Sequence, residues 1–344
     1  MKGAAVLYHA YFTGLILMLA SRKGPRDAGD WSFAVFRRQH HEKFRSSFEK
    51  LGLLDLPDAV ACARYHYLSN RIGGVPVEYM EESDTKAWVR FCHPRWIYEG
   101  PALCGVPLEV GHGFIKGWYA HNGVTLGNPR LGFVCTSQDM TAEVGFAGYF
   151  QEYDRDLAAD ERLRFEPAET PPPFDPAAVP VLDTTTWPAE RLQKANRNYA
   201  MEYIKSGLQE LVRCFGSGEA VALGNLAAQI VGRQMYREVQ AWLGQDPADA
   251  TPEGFAEFMV AMGAAQDVAS DWRAEGGAIT VRQAGWRVMR GVDPLPGAAV
   301  EAWNGLWQGA LAVHDRFAVL ELLGRPDYGD DGFTWRLRRR SGGA

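Results

Sequence analysis

Apolar positions along this chain move between helical and strand spacing in an order that occurs twice. The first apolar run, residues 4–20 (AAVLYHAYFTGLILMLA), is interrupted by His9, Thr13 and Gly14. It falls short of the roughly 20 apolar residues of a membrane span and lacks the basic start and small-residue cleavage site of a signal peptide. It predicts a buried or interface helix. The basic Arg22-Lys23 behind it keeps a membrane-associated helix as the alternative. In residues 31–51, Phe33, Phe36, His40, Phe44 and Phe48 recur at intervals of three and four, one stripe of an amphipathic helix. Pro57 opens a second helix in its first turn and Gly73-Gly74 closes it. VPVEYMEES and TKAWVRFC then read as strands around a Ser83-Asp84 turn, residues 107–122 as a third helix, and RLGFVCT and GFAGYFQEY as a second strand pair.

The order recurs downstream. Residues 195–215 form a helix with Tyr199, Tyr203, Leu208, Leu211 and Val212 on its apolar side, and 219–243 a second. A short helix opens at Pro252, strands follow at 268–274 and 278–286, a helix at 297–314, and the chain closes with RFAVLELL and FTWRLRR. Each half reads helix, helix, strand pair, helix, strand pair, which predicts an α+β fold of two similar domains. FIKGWYAHNG and GLWQGALAVHD are a loose echo between the third helices. An ancient duplication and a coincidental shared order both account for the repetition. Between the halves, EPAETPPPFDPAAVPVLDTTTWP holds 7 of the 19 prolines, which forbids helix there. The expected division is a domain over 1–165, a proline-rich linker over 166–190 and a domain over 191–344. An extended strap across one domain fits the same stretch.

Composition narrows the function classes. The chain has 344 residues, 47% hydrophobic and 23% charged, with 36 Lys and Arg against 42 Asp and Glu. That is globular, and too acidic for the basic footprint of a nucleic-acid binder. Five cysteines without CxxC spacing suit free thiols in a reducing cytoplasm. No Walker loop, GxGxxG junction or GxSxG elbow occurs, so no nucleotide cofactor and no serine-hydrolase chemistry is expected. Seven of the eight histidines and four of the five cysteines precede the proline-rich stretch, which points the chemistry to the first half.

Four constellations stand out there. His40 sits on the phenylalanine stripe and His41 beside it, either a hydrogen-bonded core pair or a ligand and general base. Cys62, His66 and Asn70 fall at i, i+4, i+8 on one helix side, either tight packing or a thiol–imidazole pair with an orienting amide. Arg90, His93, Arg95 and Trp96 in VRFCHPRW offer a carboxylate clamp and a stacking surface, or plain sheet-surface stacking. Across the hairpin, a register centred on Ser83-Asp84 sets Glu81 opposite Lys86. The fourth, GHGFIKGWYAHNG, carries His121 and Asn122 at a turn. A single divalent metal held by two of these histidines and Glu78 or Glu81 is a further option.

NYAMEYIKSGLQEL, YREVQAWLG, WNGLWQGALAVHDRFAVLEL and GDDGFTWRL together resemble the L-2-amino-thiazoline-4-carboxylic acid hydrolase-like domain over residues 194–338. That group is similar in turn to vinyl-reductase-type small-molecule-binding domains. The resemblance implies an α+β fold with a cavity between helices and sheet, and hydrolysis of a small heterocycle or related C–N bond. The cysteine that accompanies the closing aspartate in such domains is missing, since Asp331 is followed by Gly332 and Phe333.

Three expectations follow. One is a hydrolase or lyase on a small polar molecule, with His41, His66 or His40 as base, Arg90 and Arg95 holding an anionic group, and Asn70, His93, Trp96, His121 and Asn122 lining the site. The second is a small-molecule-binding or sensory module without turnover. The third, a structural interaction protein, rests on the apolar N-terminus and the linker. A small molecule is the expected partner, self-association is open, and membrane and nucleic acid are not expected.

Overall fold

A computed structural model describes residues 1–93, 95–99, 102–138, 145–246 and 248–339 of an α+β protein. Its elements divide into two compact units, one of residues 19–196 and one of residues 1–18 with 197–344. The expected division differs at both ends. The apolar first helix, α1 (Lys2–Arg22), lies mostly in the C-terminal unit, and the proline-rich stretch lies wholly in the N-terminal one.

In the N-terminal unit, α2 (Pro25–Lys50) starts on a proline, with Asp27 in its first turn. Of the predicted stripe it buries Phe36, His40, Phe44 and Phe48, joined by Trp31 and Val35, and leaves Phe33 half-buried. Next come α3 (Asp58–Ile72), strands β1 (Val77–Ser83) and β2 (Lys86–Phe91), the short α4 (Ala102–Gly105) and α5 (Leu108–Gly117). The helix expected over 107–122 breaks at Trp118, passes through a 3-10 turn at Tyr119–His121, and resumes as α6 (Asn122–Leu126). Gly127, with φ +74°, ends it. Strands β3 (Leu131–Ser137), β4 (Ala147–Glu152) and the short β5 (Leu163–Phe165) complete a sheet of order β1-β2-β4-β3-β5. All of its pairs are antiparallel except β3 with β5.

The glycines of LEVGHGFIKG explain how closely α5 meets α2. A Cβ on Gly113 would strike the Gly29 carbonyl and the Phe33 amide, and one on Gly117 the Phe33 carbonyl. Ser32 Oγ donates to the Val110 carbonyl at 2.9 Å across this crossing.

One face of the sheet carries Val77, Tyr79, Ala87, Val89, Phe91, Phe133 and Phe150 into the core with α3 and Tyr119. The other face buries Met80, Trp88, Val134 and Tyr149 beneath Phe174 of the proline-rich stretch. Glu169 from that stretch accepts from Tyr149 Oη (2.7 Å) and Lys86 Nζ (3.1 Å). The stretch is thus a strap, held by its own acidic and aromatic residues. The hairpin register is also corrected. A bulge between Glu81 and Ser83 sets Glu81 opposite Ala87 and Ser83 opposite Lys86. Glu81 instead pairs with Arg64, and Lys86 with Glu82 and Glu169.

The C-terminal unit repeats the plan. The helices expected over 195–215 and 219–243 run on as α7 (Ala189–Trp242), kinked at Gly216 where φ is +77°. There follow α8 (Pro252–Ala265), β6 (Ser270–Glu275), β7 (Ala278–Ala284), α9 (Gly297–His314), β8 (Ala318–Gly324) and β9 (Gly332–Arg339). Sheet order β6-β7-β9-β8 matches β1-β2-β4-β3. α9 meets α7 through Gly305 and Gly309, whose Cβ atoms would strike the Asn225 and Gln229 carbonyls. These stand four residues apart, as Gly113 and Gly117 do. The shared strand order and glycine spacing fit a duplicated unit. α1 is a core helix here. Tyr8, Tyr11, Phe12, Leu15 and Ile16 are fully buried, Tyr8 Oη donates to Gln266 Oε1 (2.7 Å) and Tyr11 Oη to the Gly224 carbonyl (3.0 Å).

Candidate functional site

In the N-terminal unit the fold gathers imidazoles from three elements. α2 supplies His40 and His41, α3 supplies His66, and the 3-10 turn supplies His121. The His41 and His121 ring centroids lie 5.1 Å apart, and so do those of His40 and His121. The break in α5 makes this possible, because it turns Trp118 edge-on to both His40 (5.7 Å) and His66 (6.5 Å). It also stacks Tyr119 on His66 at 3.8 Å. A continuous helix over 107–122 would point these side chains around a cylinder.

The inner part of the cluster is dry and aromatic. His40 is 1% exposed, stacks on Phe44 and shares a hydrogen bond with Thr125 Oγ1 through Nε2 at 2.8 Å. His66, 4% exposed, stacks on Tyr119 and lies parallel to Phe150, and its Nε2 meets Asn122 Nδ2 at 2.9 Å. With the amide donating, His66 Nε2 accepts and the ring proton sits on Nδ1. Burial holds both imidazoles neutral. It brings His40 down to about 2, helped by His121, His66 and Arg37, and drives His66 well below its ordinary value against the hydrogen bond from Asn122. Burial likewise raises the Cys62 thiol, although the Asn122 side chain beside it opposes the shift.

Three buried polar atoms here have no hydrogen-bond partner among the described residues: His40 Nδ1, Trp118 Nε1 and Asn122 Oδ1. Turning the Asn122 amide over would only exchange which of its ends is bare. Buried polar atoms are nearly always paired, so three orphans around one tryptophan mark a polar centre that protein groups do not complete.

The outer part sets two imidazoles beside two guanidiniums, Arg37 and Arg162. His41 is exposed and His121 half-buried. Arg37 donates to the carbonyls of Gly117 (2.9 Å) and Lys116 (3.0 Å) and stands close enough to disfavour protons on His40 and His121. Arg162 acts on His121 too, and its buried Nη1 has no partner among the described residues. His121 falls to about 4, first through burial and then through Arg37, His41 and Arg162. No carboxylate contributes to either shift.

Of the residues singled out in the sequence, this cluster unites His40, His41, His66, His121 and Asn122. Asn70 turns back to donate to the His66 carbonyl at 2.7 Å and does not face the cluster. The arginine clamp is not assembled: Arg90 is engaged by Glu78, and Arg95 lies over Phe91 and Tyr98. Trp96 packs against the core and His93 is exposed. Among the described residues no three His, Cys, Asp or Glu side chains are set to hold a metal ion. The acids expected to complete such a site are occupied elsewhere, Glu78 by Arg90 and Glu81 by Arg64 and Tyr79. Thr125, Trp118, Arg37 and Arg162 were not among the sequence candidates. Of these, Trp118 alone had a signal, its place in WYAHN beside His121.

A cleft in the same unit is lined by Tyr98, Leu108, Gly111, Phe114, Ile115, Gln138 and Phe146, and is too narrow for much beyond a water molecule. Phe114 in its wall contacts Tyr119 at 5.1 Å.

No family model matches the chain and no curated protein matches it. Among solved structures, a trafficking protein particle complex subunit 3 from Naegleria fowleri, crystallised covalently bound to palmitic acid, is similar over 43% of this chain and 97% of that one. Sequence identity is 16% and the TM-score 0.34, a likeness on which no conclusion rests.

Proposed function

We propose that the N-terminal unit is a binding module for a small anionic molecule, without turnover, and that His41, His121 and Arg162 hold the anion over His40, Trp118 and Asn122. The observation that carries this is the rim itself: Arg37 and Arg162 stand beside the His121 ring, and no carboxylate among the described residues acts on it. Like charges held together raise one another's free energy, and an anion relieves that cost while accepting from the free N–H groups. The buried orphans behind the rim suit the uncharged polar part of such a molecule.

Catalysis by this cluster has less support. An imidazole held neutral near pKa 2 is a weak base, and a thiol raised by burial supplies no thiolate. The hydrolase-like resemblance would put chemistry in the C-terminal unit. There an open cleft is lined by Trp286, Met289, Val292, Asp293, Pro294, Leu295, Pro326, Asp327 and Gly329, with two carboxylates and no imidazole, thiol or hydroxyl. Arg325 already binds Asp327. Five free cysteines favour a reducing cytoplasm.

Calorimetric titration of the whole protein with inorganic phosphate and with acetate tests the reading. One of them should bind, and His41→Ala and Arg162→Gln should each weaken that binding about tenfold, in line with loss of a charge-assisted hydrogen bond. Binding unchanged in both variants would refute the assignment.

A further inference from the structure

The open cleft of the C-terminal unit has a volume of about 490 Å³, which falls in the roughly 300–1,000 Å³ range of small-molecule sites. Met289, Val292, Leu295 and Pro326 make its walls apolar and Trp286 adds an aromatic face. Among the described residues no lysine or arginine lines it. Its two carboxylates differ. The Asp327 side chain is 4% exposed and accepts from both Nε (2.7 Å) and Nη2 (2.6 Å) of Arg325, on which Tyr328 stacks. That ion pair is complete and fixes one wall. Asp293 is exposed and makes no ion pair or hydrogen bond among the described residues.

The surroundings leave the Asp293 charge in place. Asp330 and Asp331 follow Gly329 of the same wall and are exposed too. Of the cations on neighbouring segments, Arg287 pairs with Asp267, and Lys205 Nζ donates to the Arg290 carbonyl at 3.1 Å. Arg290 itself is exposed and is not part of the lining.

A second observation comes from Trp286. It is 7% exposed, Trp303 and Phe333 pack on its ring at 5.1 and 5.6 Å, and its buried Nε1 has no hydrogen-bond partner among the described residues. A buried N–H is nearly always paired, so a bare indole in a cleft wall marks a place for an acceptor.

We infer that this cleft binds a small organic cation, an amine on an apolar frame that also carries an acceptor oxygen. The ammonium group meets Asp293 in a charge-assisted hydrogen bond, the frame covers the apolar walls, and the oxygen accepts from Trp286 Nε1. The one carboxylate left without a cation sets the sign of the ligand. The apolar walls call for a carbon frame and not a bare metal ion.

The probe is tyramine, titrated into the full chain by calorimetry, with para-ethylphenol as the same frame without the ammonium group and phloretate as its anionic counterpart. Tyramine should bind, para-ethylphenol about tenfold more weakly, as for one charge-assisted hydrogen bond lost, and phloretate more weakly still. Asp293→Asn should weaken tyramine by about the same factor and leave para-ethylphenol unchanged. Asp293 is exposed, so the variant keeps its fold, which circular dichroism verifies. The Trp286 indole N–H resonance, assigned through Trp286→Phe, should move on tyramine binding. No binding of tyramine, equal binding of para-ethylphenol, or full affinity in Asp293→Asn would overturn the inference.

Discussion

His40 and His66 make the N-terminal unit sensitive to acid. Both bind protons far less readily folded than unfolded, since burial holds them below the ordinary 6.5. Below that pH the unfolded chain therefore carries more protons. The stability the pair permits is complete above pH 6.5 and drains away as the pH falls toward the folded values. Each contributes about 1.4 kcal/mol per pH unit, so together they cost roughly 3 kcal/mol per unit below 6.5. Urea unfolding at pH 7, 6 and 5 should show this slope, and His40→Leu should roughly halve it. Several residue-level features were legible in the chain. His40 lies on a phenylalanine stripe, and His121-Asn122 lie at a turn signal. The pairing of Arg90 with Glu78 was not, because a hairpin's charges are assigned by its register, and one bulge between Glu81 and Ser83 moved every partner.

At the scale of elements, helical and strand periodicity named nearly all of the secondary structure, and Gly297–His314 matches the expected α9. The break after Gly117 escaped it, since LEVGHGFIKGWYAHN reads as one helix by spacing alone. What ends the helix is tertiary: Trp118 and Tyr119 gain more by packing against His40, His66 and Phe133 than by continuing a turn. The glycine crossings were likewise invisible as such, although both pairs stand in the sequence four apart. Gly113→Ala should destabilise the N-terminal unit by about 3 kcal/mol, the upper range for a forced overpacking, because its Cβ would meet backbone, which cannot rotate away. Gly111→Ala on the same helix, with open space around it, should cost nothing or stabilise slightly. Thermal unfolding of the pair separates close packing from helix propensity.

For the whole molecule, composition and proline content predicted two parts with a joint over residues 166–190, whereas the two compact units divide between residues 196 and 197. Composition could not show that the first 18 residues fold with the last 148, because no local pattern records which distant core receives an apolar helix. α1 places Tyr8, Tyr11, Phe12, Leu15 and Ile16 in that core. At about 2 kcal/mol each they supply on the order of 10 kcal/mol, comparable to the net stability of a domain. A chain lacking residues 1–18 should therefore lose the protection of the C-terminal unit in hydrogen exchange while the β1-β2-β4-β3-β5 sheet keeps its own. Equal protection in both units would contradict this placement of α1. The uneven spread of histidine that the sequence displayed now has a physical sense. Four of the eight meet in one cluster, two buried and neutral, two at a rim shared with Arg37 and Arg162.

The most direct measurement is the titration of the His121 ring by NMR with and without the anion. Without it, His121 should protonate near pH 4, held down by burial and by the cations beside it. A bound anion reverses the electrostatic part, so the midpoint should rise by a unit or more, and binding should strengthen as the pH falls through that range. A His121 midpoint that stays the same at saturating phosphate and at saturating acetate would contradict the account.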